Sequence, residues 1–94
     1  MKYVVQIEIP AHNRVEDDPE KVQSLVAAWQ KLNPIGMYFS VARRSVTVIV
    51  DVPNEDAMFE AVFETWTTVE EYADINPVVG VDEFPALLQR TGRG

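Results

Sequence analysis

The chain has 94 residues, of which 47% are hydrophobic and 10% aromatic, a formal net charge of −7 and no cysteine. A length of that order makes one domain, residues 1–94, with one modest core. The acidic balance argues against nucleic acid and anionic membranes as partners, since both call for clustered Lys and Arg, and the missing cysteines exclude disulfides, thiol nucleophiles and thiolate metal sites.

The apolar content is high for so short a chain and points to apolar surface shared with a partner chain. No charged-then-apolar leader opens the sequence, and no apolar run approaches ~18 residues. The expectation is a soluble cytoplasmic protein.

Met1–Pro10 reads as the first strand. Tyr3, Val5, Ile7 and Ile9 fall on one side, and Lys2, Val4, Gln6 and Glu8 on the other, as a period of two dictates. Pro10 has no amide proton and ends the ladder. A polar loop with His12, Asn13 and Arg14 follows. The first helix begins at Asp18-Pro19, an N-cap followed by the residue that suits the first helical position. Val22, Leu25, Val26, Trp29 and Leu32 make its apolar stripe, and Asn33-Pro34 stops it.

Gly36–Pro53 reads as two strands back to back. With Arg43-Arg44 as the turn, Ala42 lies opposite Ser45. One face then carries Met37, Phe39, Val41, Val46, Val48 and Val50. The other carries Tyr38, Ser40, Ala42, Ser45, Thr47, Ile49 and Asp51 and is mixed. Arg-Arg lacks the Gly or Asn of a primed turn, which leaves a longer loop with a shifted register open. A one-residue slip exchanges the two faces.

Asn54 caps the second helix, with Glu55 and Asp56 at the positive end of its dipole. Met58, Phe59, Val62, Phe63, Trp66 and Val69 form a broad apolar face, expected to be core. Asp74–Val81 reads as a fourth strand, and Pro77 places it at an edge. Asp82 caps a short final helix, Glu83–Arg90, whose apolar face is Phe84, Leu87 and Leu88. Thr91–Gly94 is a fraying tail.

The element order β-α-β-β-α-β with right-handed crossovers gives a ferredoxin-like α+β fold. It has a four-stranded antiparallel sheet in the order 4-1-3-2, with both main helices on one face and a short C-terminal helix. The uncovered face holds Gln6, Glu8, Tyr38, Ser40, Thr47 and Ile49, and two such sheets can stack on it.

Three stretches carry a resemblance. They are the strand ending Ile9-Pro10, the run Val48–Pro53 into Asn54-Glu55-Asp56-Ala57, and Tyr72–Val79 followed by Glu83-Phe84. Through them nearly the whole chain resembles the dimeric α+β barrel superfamily, and within it the muconolactone isomerase-like proteins and related uncharacterised bacterial families. The resemblance implies a homodimer or a larger ring of dimers. It also implies a pocket between sheet and helices that in some members holds a small organic acid, a polyketide or a haem. No catalytic signature of those members maps residue by residue onto this chain.

Two residues are candidates for proton transfer. Glu8 ends the first strand on the mixed face, where a partly buried carboxylate can act as a general base. Its structural reading is a surface carboxylate beside Arg43 or Arg44 of a partner. His12 is the one histidine, a residue type that could serve as acid or base near neutral pH, though a lone loop histidine is ordinarily solvated. Gln6, Tyr38, Ser40 and Thr47 offer polar groups that could orient a ligand, or else fill a dimer seam by cross-strand pairing.

Trp29, Phe59, Phe63 and Trp66 are core residues by their spacing, or the lining of an apolar pocket. Glu16, Asp17 and Asp18 mark the start of a helix rather than a ligand set, so no metal and no cofactor is expected. No glycine-rich phosphate loop is present. RNA-binding domains of the same element order stack bases on exposed aromatics in a basic setting, whereas Tyr38 and Phe39 point to opposite sides of an acidic chain.

The functional expectation is a homo-oligomeric α+β barrel that binds a small organic molecule, with isomerase-type proton transfer. The alternatives are a non-catalytic assembly or ligand-sensing module and a monooxygenase-like member.

Overall fold

The computed structural model describes residues 1–92. In chain order it contains strand β1 (Lys2–Glu8), helix α1 (Pro19–Gln30), strands β2 (Gly36–Phe39) and β3 (Ser45–Asp51), helix α2 (Phe59–Val69), strand β4 (Asp74–Val78) and helix α3 (Phe84–Arg90). The four strands form one antiparallel sheet in the order β2-β3-β1-β4, the order expected from the connections. No helix among the described residues is long and apolar enough to cross a membrane. Of the tail expected at Thr91–Gly94, residues 93 and 94 lie outside the described residues.

Alternation places Tyr3, Val5 and Ile7 of β1 on the helix side, directly opposite Val50, Val48 and Val46 of β3. All six are buried. β4 pairs with β1 so that Val5 faces Ile75 and Tyr3 faces Pro77. Pro77 thus sits in an edge strand, where its missing amide proton costs no ladder bond. Gln6, Thr47 and Tyr38 stand on the opposite, open face with Val4 and Ile49.

The hairpin differs from the expected two-residue turn. Tyr38 pairs with Thr47 and Phe39 with Val46, and Ser40 N–H donates to the Ser45 carbonyl at 3.0 Å. The loop is therefore Val41–Arg44. Arg-Arg does not favour the positive φ values of a primed turn. The Ser40 hydroxyl builds the turn instead, accepting from the N–H groups of Ala42 at 3.2 Å and Arg43 at 3.0 Å. The register moves by two residues relative to the expectation. An even shift preserves the faces, so Met37 and Phe39 stay on the helix side, while Val41 leaves the face for the exposed loop.

Both main helices start as their caps predict. Asp18 Oδ1 accepts from Lys21 N–H at 3.4 Å, and Asn54 Oδ1 accepts from Ala57 N–H at 3.2 Å through a 3-10 turn at Glu55–Met58 that leads into α2. α1 buries Leu25 and Trp29.

The buried side of α2 is not the expected aromatic one. It is Ala61, Thr65 and Val69, continued from Met58, while Phe59, Phe63 and Trp66 face outward. The cause is Trp29, which is fully buried. Its indole fills the space between the helices and needs small residues across from it. Its Nε1–H donates to Thr65 Oγ1 at 2.8 Å, and that hydroxyl donates in turn to the Ala61 carbonyl at 2.8 Å. A second bulky aromatic on this face of α2 would collide with the indole.

α3 also differs from expectation in its start. A 3-10 turn at Val81–Glu83 precedes it, and its cap-side contact is Glu83 Oε1 accepting from Gly80 N–H at 3.2 Å rather than a bond from Asp82. α3 buries none of its residues.

Candidate functional site

The segment between β1 and α1 is short of regular structure, and its conformation is fixed by one of its own side chains, Asn13, and by one from the hairpin, Arg44. Asn13 is buried. Its Nδ2 donates to the carbonyls of Val69 at 2.9 Å and Thr68 at 3.2 Å and to Glu70 Oε1 at 3.3 Å, and its Oδ1 accepts from Val15 N–H at 2.9 Å. It therefore closes the C-terminal end of α2, where the last carbonyls of a helix lack intrahelical donors.

From the other side, Arg44 at the hairpin end reaches over the same segment. Its Nε and Nη2 donate to the two carboxylate oxygens of Glu16 at 2.8 and 2.7 Å, Nη1 donates to the Pro10 carbonyl at 2.7 Å, and Nη2 donates to the Asn13 carbonyl. The planar guanidinium suits this two-pronged carboxylate grip.

Held this way, the segment roofs one end of a gap between α1 and the sheet. The gap is an apolar cleft of about 270 Å³. Ile7, Met37, Phe39 and Val46 form the sheet wall, Val22, Leu25 and Val26 the helix wall, and Ile9, Val15 and Glu16 the end. Glu16 is the one titratable group in this lining. The hydrogen bond from Arg44 holds its carboxyl below the usual value, helped by its own backbone N–H. Glu16 also raises the Arg44 guanidinium further above its already high value. Both groups are thus charged at neutral pH, and one end of the cleft is polar while its walls are not.

This pairing predicts an acid limb of stability. A carboxyl whose folded value lies below its unfolded value of about 4.5 stabilises the fold above that pH. The stabilisation disappears as pH falls through the folded value. Glu16→Gln is expected to be less stable than the parent at pH 7, with the difference shrinking to nothing well below pH 4.5. Denaturant midpoints measured from pH 7 to 3 check this, and an unchanged gap across the range would remove the ion pair as its cause.

The residues singled out from sequence fall into three places. Gln6, Glu8, Tyr38 and Thr47 come together on the open face of the sheet. Thr47 Oγ1 donates to Gln6 Oε1 at 2.7 Å, Tyr38 lies opposite Thr47, and Glu8 meets Arg43 at 3.4 Å in an exposed ion pair. Tyr38 folds its ring over Gly36, where an added Cβ would stand 2.6 Å from the ring. Ser40 is set apart at the hairpin turn, its hydroxyl occupied by backbone donors.

His12 lies elsewhere again, on a polar depression of about 360 Å³ that it shares with Asn13, Asp18, Lys21 and Glu70. None of these six candidates lines the apolar cleft. Among the described residues, no group of three or more His, Asp or Glu side chains could hold a metal.

The resemblance implies a pocket between sheet and helices, but sequence reasoning offers none of the residues around this cleft as its lining: Trp29, Phe59, Phe63 and Trp66, the aromatics named for that role, are not among them. One signal for it was present: Val22 and Val26 stand one turn apart on the α1 stripe. Two short side chains over the outer strand β2 leave the room that longer ones would fill. Asn13, Glu16 and Arg44 gave no such signal, because their partners are remote in the chain.

Residues 1–92 match the profile of a family described as a domain of unknown function, DUF3303. No curated protein matches the chain.

Proposed function

The chain belongs to the DUF3303 family, and we propose that it binds a small, largely apolar organic molecule in the cleft between α1 and the sheet. The observation that carries this reading is the cleft itself, an apolar gap of about 270 Å³ in a chain of 94 residues, with a fixed charged pair at its end. Sites for small molecules are concave and mostly apolar, with few polar groups to set orientation.

Arg44 is saturated by Glu16 and two backbone carbonyls. It therefore has little to offer a carboxylate, and the fit is to an uncharged molecule. Glu8 and His12, the bases that proton transfer would call on, stand outside the cleft, so the reading is of binding rather than turnover.

The homodimer or ring of dimers implied by the likeness to α+β barrels belongs to the same proposal. Support for it comes from the open face of the sheet, where Val4, Ile49 and Val78 stand among polar residues. Their burial against a second sheet suits the unusual apolar content. That arrangement also supports the second reading, an assembly module whose open face does no more than pair copies.

The test uses indole as a neutral probe. Saturable shifts in the methyl resonances of Val22, Leu25, Val26 and Val46 on titration, abolished in Val26→Trp, are expected. Val26 is only partly buried, so the larger ring occupies the cleft without entering the core. Shifts elsewhere, or equal binding by Val26→Trp, would leave the assembly reading in its place.

A further inference from the structure

Two apolar surfaces are left largely open among the described residues. The first is the outer side of α2. Phe59, Phe63 and Trp66 are 69%, 58% and 46% exposed, and Tyr72 continues the row. The rings are already in contact with one another, Phe59 with Phe63 at 6.2 Å between centroids and Trp66 with Tyr72 at 6.0 Å. Each such ring carries roughly 150–250 Å². With roughly half to two-thirds of each ring open, a row of four reaches the size of the largest apolar patch a monomer ordinarily leaves open, roughly 300–600 Å².

The second surface is α3. Val81 and Phe84 are exposed and Leu87 and Leu88 are only half covered; beyond its own lead-in turn the helix has a slight contact with its own chain, a shallow hollow where Leu87 and Arg90 stand beside Met1 and the end of β4. A helix this short does not hold in water without a surface to pack on. The chain is also elongated. The radius of gyration is 15.2 Å, with a long axis of 50 Å, against about 12 Å for a compact chain of this length.

The two surfaces match. Phe59, Phe63 and Trp66 follow a spacing of four and three residues, and Val81, Phe84 and Leu88 a spacing of three and four. Each row is therefore roughly 10 Å long on a helix. α2 has no basic residue and presents Glu60 and Glu64 beside its aromatic row, with Glu70 and Glu71 beyond its end. α3 carries Arg90 in its last turn.

We propose that α3 is an exchanged arm that docks on the aromatic row of α2 in a second copy of this chain. Exchange about a twofold axis uses both surfaces of both copies and closes, leaving no open end for further growth. It buries on the order of 1,600 Å², the size of a stable interface. The arm contact uses neither the cleft nor the open sheet face, so it stands apart from the function proposed above.

The test uses the full chain. Phe84→Glu on the arm and Phe63→Glu on the row are both at exposed positions, so each should keep the parent's cooperative thermal unfolding and lose from the far-ultraviolet circular dichroism no more than the share of the seven residues of α3. Each is expected to halve the mass measured by sedimentation at micromolar concentration. Tyr38→Glu, on the open sheet face, reports the other contact. A fall in mass with Tyr38→Glu alone, or a parent chain that is already a monomer, would overturn the proposal.

The lack of native cysteine permits a direct check. A Phe63→Cys chain mixed with a Leu88→Cys chain under oxidised glutathione should give a disulfide-linked pair of one of each. A doubly substituted chain that instead closes within itself would show that the arm returns to its own α2, and would overturn the exchange.

Discussion

Trp29→Ala is expected to remove about 3–5 kcal/mol of stability, the range for deleting a buried aromatic side chain. For a domain with ~5–15 kcal/mol in total, that is a large share. It should lower the thermal midpoint by well over 10 °C at roughly 4–8 °C per kcal/mol. The residue is completely buried between the helices, and the small Ala61 and Thr65 opposite cannot expand to fill the gap.

The polar half of the contact can be separated from the packing. Thr65→Val keeps the shape but leaves the indole N–H, now bonded at 2.8 Å, without an acceptor, at a cost of about 1–3 kcal/mol. Trp29→Phe removes that donor, and Thr65 keeps its bond to the Ala61 carbonyl. The double variant Trp29→Phe/Thr65→Val should then be more stable than the sum of the two single losses predicts, because the unpaired donor is gone. Urea midpoints at one fixed protein concentration give all three numbers. Strict additivity would mean that the 2.8 Å bond contributes nothing beyond shape.

The same pair of residues shows where a sequence can and cannot be read. Strand faces and sheet order follow from local rules. Alternation in Tyr3-Val4-Val5-Gln6-Ile7 fixes which side is core, and Asp18-Pro19 and Asn54 mark the helix starts by their own chemistry. Even the four-residue hairpin loop changes nothing essential, because the register moved by an even step. α2 is different. Its apolar residues cover so much of the circumference that periodicity alone does not choose a face, and size favours the aromatics. The choice is made by Trp29, which lies 36 positions away from Thr65. The cleft is hidden for the same reason. Arg44 and Glu16 are 28 positions apart, and Asn13 and Val69 are 56 apart. Polar side chains at such separations carry no periodic signature, and they look like ordinary loop residues until the fold brings their partners to them. The residues that do stand out are conspicuous by type and by place, Glu8 at a strand end, His12 in a loop and Tyr38 on the mixed sheet face, which says nothing of whether a cavity lies beside them.

Asn13 is the residue for which this difference has the largest consequence. Asn13→Ala is expected to cost about 3 kcal/mol, since it strips the donor from the Val69 carbonyl and the acceptor from Val15 N–H, both at buried bonds. Asn13→Asp should be worse at neutral pH despite its nearly identical shape. A carboxylate cannot donate to the α2 carbonyls, and it sets a negative charge against the negative end of that helix and beside Glu70. Protonation relieves both faults, so the introduced carboxyl is raised in the folded state above its unfolded value of about 3.9. The sign is then the reverse of the Glu16 case. The Asp variant is closest to the parent below about pH 4 and loses ground as pH rises through the folded value. A deficit that does not depend on pH would show that the loop tolerates the charge and that the carbonyls find other donors. Because Val15 and Glu16 lie two and three residues after Asn13 and close the end of the cleft, both substitutions should also weaken indole binding in the fraction that remains folded. That loss is the readout that ties the loop anchor to the cleft rather than to stability alone.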